Sequence, residues 1–354
     1  MSNILVVNTN IGYFNEPKKE FRMTPNARFT EFLTDIEPSS TTKTNASSAH
    51  TKLRATLRGD ETFGPLHRHT FLSGSYKRDT AIRPRIKNGN GQRPDVDIIV
   101  VTNHGLYDDP VDVVDAIHAA LNRHYTPTNR QARSVSVSST LADMDVVPLI
   151  DPDDTATYYI ADRLQREWLR TNPPGHTQWT TDTNTAMSGR FKPLVKLFKW
   201  WRRENPTLAK RPKGFILEVL AAECMNSTET HYGELFVQLL ESVVDRFAFD
   251  VMIGAVPTLE DPSMPGNNIL SGLSFAAFEG FYNKMKTHAA IGRAALELDD
   301  QDKATEKWRQ LFGERFPKPP LKKSTGLLGT AVASPGLVFP DHPVRPANKP
   351  AGFA

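Results

Sequence analysis

The sequence predicts an α+β protein of two lobes with a cleft between them, and three observations carry that prediction. The first half holds the β-branched runs, above all Asp95 to Thr102, and the second half is dominated by three- and four-residue apolar spacing. At 354 residues, 39% hydrophobic and 23% charged, the chain is long enough for two packed units and has an ordinary globular composition. Carboxylates gather at the start of two of the strand-like runs, where a cleft would open.

In order along the chain, Phe29, Phe32, Leu33 and Ile36 recur at helical spacing, Pro38-Ser39-Ser40 interrupts, and a second helix runs to Leu57. This reads as a long broken helix before the first strand. The stretch Thr70 to Tyr76 follows, then a basic loop rich in Gly, Asn and Pro from Lys77 to Pro94, then the strand Asp95 to Thr102 and a helix over Pro110 to Tyr125. Arg133 to Ser138 and Met144 to Leu149 read as two strands joined by a short turn, so the sheet is expected to be mixed or antiparallel. Helices are expected over Tyr158 to Arg170, Gly189 to Asn205, Phe215 to Met225, Tyr232 to Val251, Gly272 to Leu298 and Asp302 to Phe312. The expected division is residues 1–188 for the first helix and the sheet-bearing core, 189–316 for the helical lobe, and 317–354 for a flexible Pro/Gly-rich tail.

A net charge of +3 does not announce a nucleic-acid binder, although local bases can still hold polyphosphates. The single cysteine, Cys224, excludes an internal disulfide framework and reads as a small core residue. No leader and no apolar run of ~20 residues is apparent, so the expectation is a soluble cytoplasmic protein without a membrane partner.

The chemistry concentrates in Leu72-Ser73-Gly74-Ser75-Tyr76 and in Asp95-Val96-Asp97-Ile98-Ile99-Val100-Val101. Alternation along a strand puts Asp95 and Asp97 on one side and Val96, Ile98 and Val100 on the other. Two adjacent carboxylates repel unless a cation or a basic partner lies between them. Asp145, in Asp143-Met144-Asp145-Val146-Val147-Pro148, is the expected third member, with Asp143 as its alternative. Three such groups facing one point suit two Mg²⁺ ions, or Mn²⁺, about 3.5–4 Å apart, one at an attacking hydroxyl and one at a leaving pyrophosphate. In that scheme Asp145 would lie nearest the hydroxyl as its general base.

Gly74 lets the backbone approach an anion and Ser75 offers a hydroxyl to a triphosphate. Lys196 and Lys199 sit three apart on one helix, and either could reach that triphosphate; the alternative for each is a solvated basic helix face. Trp200 and Trp201 cannot share a face, so at least one packs inside. An Asp-x-Asp or Gly-Ser pair alone is usually structural. Their order, with a third strand-borne aspartate, points to metal-dependent nucleotidyl transfer.

At these residues the chain resembles the bacterial cGAS/DncV-like nucleotidyltransferases (CD-NTases) of the polymerase β-like superfamily, from near Phe29 to about Phe316. The resemblance rests on Gly74-Ser75 with Thr80-Ala81-Ile82-Arg83-Pro84, Asp95-Val96-Asp97, Asp145-Val146-Val147, Lys199-Trp200-Trp201 with Pro212-Lys213-Gly214-Phe215, and Trp308-Arg309-Gln310-Leu311-Phe312-Gly313. It implies a polymerase β-like core with a helical second lobe, ATP and other NTPs as substrates, Mg²⁺, and no DNA activator or other obligatory nucleic acid. The chain looks most like clade D, whose known members make cyclic trinucleotides that switch on a nuclease effector in anti-phage defence. By the family pattern Lys199 would bind the donor triphosphate and Phe215 would lie near a nucleobase; Gly214 stands where many relatives carry serine. Such enzymes are often conjugated through their own carboxyl terminus by ubiquitin-transfer-like proteins, and the terminus Ala351-Gly352-Phe353-Ala354 resembles theirs. The alternatives within and beyond this chemistry are a linear or RNA-tailing product and a catalytically silent nucleotide-binding module.

Overall fold

The computed structural model describes residues 24–320 apart from 88, 89, 154, 156, 210 and 213; the expected tail beyond 320, Ala354 and Lys213 lie outside the described residues. The chain begins with α1 (Asn26–Ile36) and α2 (Ser40–Gly59), broken where Pro38 cannot continue a helix and the Ser39 hydroxyl accepts from the Thr42 amide to start the next one. Strand β1 (His67–Ser73) leads into a single helical turn, α3 (Gly74–Lys77). A small hairpin, β2 (Ile86–Lys87) and β3 (Asn90–Gly91), lies in the basic loop before β4 (Asp95–Thr102) and α4 (Pro110–Asn122). Strands β5 (Thr128–Arg130), β6 (Val135–Ser138), β7 (Asp143–Ile150), β8 (Tyr158–Asp162) and β9 (Glu167–Thr171) complete the first half.

These strands form one mixed, seven-stranded sheet in the order β1-β4-β7-β6-β5, with β8 on the far end of β7 and β9 beyond it. The pair β4·β7 is parallel and its neighbours are antiparallel. The expected helix over Tyr158 to Arg170 is therefore a β-hairpin. Its five-residue arms are too short for apolar spacing to separate periods of 2 and 3.6, and the reversal is made by Asp162, whose carboxylate accepts from the Leu164 and Gln165 amides.

Helices α5 (Pro173–Ala186), α6 (Phe191–Glu204), α7 (Phe215–Cys224) and α8 (Tyr232–Met252) follow, then a hairpin of β10 (Glu260–Asp261) and β11 (Met264–Asn268), then α9 (Phe275–Glu297) and α10 (Gln301–Phe312). Helix α5 escaped the sequence reading because its Thr-rich face is nearly all polar; its start signal is Asn172, whose side chain caps Gly175 ahead of Pro173 and Pro174.

Two hydrophobic cores sit side by side. One face of the sheet, with Val96, Ile98, Val100, Met144 and Val146, packs under α2 and α4. The helical lobe closes around Phe198, Trp201, Phe236, Phe281 and Trp308, and α1 joins this lobe through Phe29 and Phe32 rather than lying on the sheet. Both Trp200 and Trp201 are buried, with their indole N–H groups donating to the Phe312 carbonyl (2.9 Å) and His288 Nδ1 (3.0 Å). No helix among the described residues is long and apolar enough to cross a membrane.

Candidate active site

The parallel register of β4 and β7 sets Asp95 opposite Asp143 and Asp97 opposite Asp145. Residues opposed in a ladder share a face, so these four carboxylates crowd one end of the sheet face turned away from α2 and α4. Further along that face Ile99, Val101, Val147 and Leu149 close into a small apolar cluster with Phe71 and Tyr158, which leaves the carboxylate end outside it. Burial, then the negative charges of Asp97, Asp145 and Asp143, push the Asp95 carboxyl up to about 7. Asp97 and Asp145 are also raised, chiefly by burial.

Such a set suits a divalent cation: the donors are hard oxygens, and a positive ion between them would relieve the repulsion that lifts Asp95. Among the described residues no three Asp, Glu, His or Cys side chains already converge on one point. Asp145 accepts instead from Gln131 Nε2 (3.2 Å), and Asp143 pairs with Arg93 (3.1 Å). One hydrogen bond to one oxygen leaves the rest of the Asp145 carboxylate to a cation, while Asp143 has its own in Arg93. This favours Asp145 over Asp143 as the third ligand.

Gly74 enters the next turn at φ +66°, and a Cβ on it would stand 1.6 Å from Asp97 Oδ2. Only glycine permits that approach of backbone to carboxylate. Ser75 lines a cavity of about 930 Å³ whose wall also carries Asp95, Lys43, Arg83, Arg85, Arg93, Lys199 and Arg203, a strongly basic lining beside the acidic face.

The structure brings Lys199 to this cavity and takes Lys196 elsewhere. The Lys196 ammonium is held by Glu37 (2.8 Å) and Asp79 (3.3 Å), and Lys196 is not part of the cavity wall. The Lys199 ammonium donates to Glu218 (2.7 Å) and to the Thr80 hydroxyl (3.0 Å), close enough to Asp97 to oppose the rise in that carboxyl's pKa. Phe215 stacks obliquely on His176, ring centroids 4.4 Å apart, with the Arg78 guanidinium 5.2 Å from its own centroid; its neighbours Gly214 and Leu217 face the cavity.

Sequence reasoning missed Glu218, Gln131 and Arg93. Glu218 sits in an apolar helical run with Glu223 five residues on, and only the tertiary contact with Arg78 reveals what it does. Arg93 had a signal in its place just before Asp95, and Gln131 had none.

Residues 23–184 match the family described as the Second Messenger Oligonucleotide or Dinucleotide Synthetase domain. The chain is 50% identical over 340 residues to a cyclic AMP-AMP-AMP synthase of Acinetobacter sp., covering 94% of this chain and 98% of that one. It is 29% identical to a probable cyclic AMP-AMP-GMP nucleotide synthase of Salmonella paratyphi B, covering 93% and 99%. Its fold matches Escherichia coli MS115-1 CdnC solved with ATP at a TM-score of 0.67, with 18% identity over 83% of this chain and 99% of that one. The mixed sheet beside a helical lobe is thus a fold this chain shares with a solved nucleotide-binding relative, and the chain belongs to the cGAS/DncV-like nucleotidyltransferases that make cyclic oligonucleotide second messengers.

Proposed function

We propose that this chain joins three ATP molecules into a cyclic trinucleotide, with cyclic AMP-AMP-AMP as its principal product. The observation that carries this reading is the 50% identity, over nearly the whole length of both chains, to an enzyme named for that product. The relative named for an AMP-AMP-GMP product stands at 29%.

The geometry supports the chemistry in detail. Asp95, Asp97 and Asp145 would hold two Mg²⁺ ions, or Mn²⁺. When bound, these ions neutralise the triphosphate and make the attacking hydroxyl more acidic. Asp145, at the edge of the group, accepts the proton from a 3′ or 2′ hydroxyl as that oxygen bonds to the α-phosphorus and the bond to pyrophosphate breaks. Ser75 and Lys199 hold the donor triphosphate, and the arginines of the wall balance its charge. Two such transfers make a linear trimer and a third closes the ring. The product would then act on a nucleotide-gated effector.

The test is to incubate the protein with labelled NTPs and Mg²⁺, treat with phosphatase, and identify what survives by mass spectrometry. A resistant cyclic tri-adenylate that vanishes in Asp97→Asn is expected. A phosphatase-sensitive ladder would show a linear synthase instead, and silence with every NTP mixture and both metals would overturn the reading.

A further inference from the structure

Glu218 has no exposed surface, yet it carries a charge, and its pKa is held down to about 2: burial raises it, and the Lys199 and Arg78 cations outweigh that. Its Oε2 accepts from Arg78 Nε (2.9 Å). Its Oε1 accepts from Arg78 Nη2 (3.0 Å), the Thr80 hydroxyl (2.9 Å) and the Lys199 ammonium (2.7 Å). The donors come from two places: Arg78 and Thr80 directly follow the turn that begins at Gly74, and Lys199 comes from α6.

Both partners on the turn side are tied back to it. The Arg78 amide donates to the Gly74 carbonyl (3.1 Å) and the Thr80 amide to the Ser75 carbonyl (3.0 Å). Gly74 in turn lies against the Asp97 carboxylate. An unbroken chain of contacts therefore runs from α7 to the strand that carries the acidic pair.

From this geometry we infer that Glu218 is a positioning residue for nucleotidyl transfer: it fixes the Lys199 ammonium and the Arg78 guanidinium in place on the Asp97 side of the site and locks the Gly74-Ser75 turn to the helical lobe. A buried ion pair kept for stability alone is close to break-even against apolar side chains of the same size. Here one carboxylate serves two cations, and both are near enough to Asp97 to oppose the rise in its pKa, where the proposed function puts an anionic substrate and its counter-ions. Glu218 itself lines no part of the cavity. Its effect runs through Lys199, so the inference rests on the proposed role of Lys199 and Asp97.

The experiment is a double-mutant cycle on the full chain with Glu218→Gln, Lys199→Met and both together, reading kcat, KM for ATP and melting temperature. Glu218→Gln is expected to lower kcat by about 100-fold, the loss that a misplacement of about 1 Å produces. The double variant is expected to be no worse than Lys199→Met alone, because the two act as one unit. Glu218→Asp should recover part of the lost kcat. Multiplying effects in the cycle, or a Glu218→Gln enzyme within about twofold of the unmodified one, would overturn the inference. An unmodified protein that makes no cyclic product would instead sink the proposed function. If Glu218→Gln fails to fold, Arg78→Lys carries the test, since it keeps the charge but not the two-pronged contact: kcat should fall at least about tenfold with the fold intact, and unchanged kcat would overturn the inference.

Discussion

Gly74 and Asp97 are packed so closely that no side chain fits between them: a Cβ on Gly74 would lie 1.6 Å from Oδ2 and 2.5 Å from Cγ of the aspartate. Gly74→Ala must therefore swing the carboxylate away or open the turn, and it also places a side chain at φ +66°, a cost of roughly 1–2 kcal/mol. The expected outcome is loss of at least about 100-fold in synthesis with a melting temperature only a few degrees lower, because the displacement acts on the site more than on the core. A variant with normal turnover would show that the Asp97 carboxylate does not have to stay where it is.

The acidic face yields a graded prediction. Asp95→Asn, Asp97→Asn and Asp145→Asn should each cut product formation below about 1%, as loss of a metal-holding carboxylate does. Melting temperature should hold or rise, since each change removes one member of the mutually repelling group in which the Asp95 carboxyl is pushed up to about 7. Asp143→Asn should keep a substantial part of the activity, because that carboxylate is paired with Arg93 at the half-exposed margin of the cleft. Equal loss in all four variants would make Asp143 a ligand too.

Stability should fall with acid through His288. Burial, with the charge of Lys284 behind it, lowers this imidazole from 6.5 to about 4, and its Nδ1 accepts the Trp201 indole N–H. The unfolded chain takes up a proton below about pH 6.5 that the folded chain refuses, so the contribution is complete above that pH and is lost as pH drops toward 4. The difference is worth about 3 kcal/mol at most. The raised carboxyl of Asp95 works in the opposite direction over this range but is common to both proteins, so melting curves at pH 7.5 and 5 should show the unmodified protein losing more stability than His288→Gln, which keeps an acceptor for the indole.

Phe29 should matter more than its place on the first described helix suggests. Its ring meets Trp308 (centroids 4.9 Å apart), Phe316 (5.2 Å) and His231 (5.4 Å) edge-on and is fully buried. Phe29→Ala should cost about 3–5 kcal/mol in urea denaturation, the usual range for an aromatic removed from a core. A loss under about 1 kcal/mol would mean that α1 is not clamped to the helical lobe.

What could be read in the sequence was what local physics dictates. Side chains alternate along any strand, so Asp95 and Asp97 had to share a face and Val96, Ile98 and Val100 the opposite one, which is the arrangement in the sheet. Long periodic segments declared α6, α8 and α9, and Pro38-Ser39-Ser40 marked the break between α1 and α2. The resemblance added the enzyme class, which the relatives bear out. Weak local signals failed: the arms of the β8·β9 hairpin are too short to show a period, and the Thr-rich α5 has almost no apolar face to show one.

Tertiary structure decided the partners, because these depend on which distant segments meet. Lys196 and Lys199 are three residues apart on one helix, a spacing that treats them alike. Yet Glu37 and Asp79 take the first, while Glu218 and Thr80 hold the second at the cavity. Asp143 and Asp145 are two residues apart on one strand, and only contacts from elsewhere, Arg93 to one and Gln131 to the other, tell them apart. Periodicity sets which way a side chain points; what it meets there is set by other segments of the folded chain, from 14 residues away for Gln131 and Asp145 to 140 for Arg78 and Glu218, and no local pattern encodes that meeting.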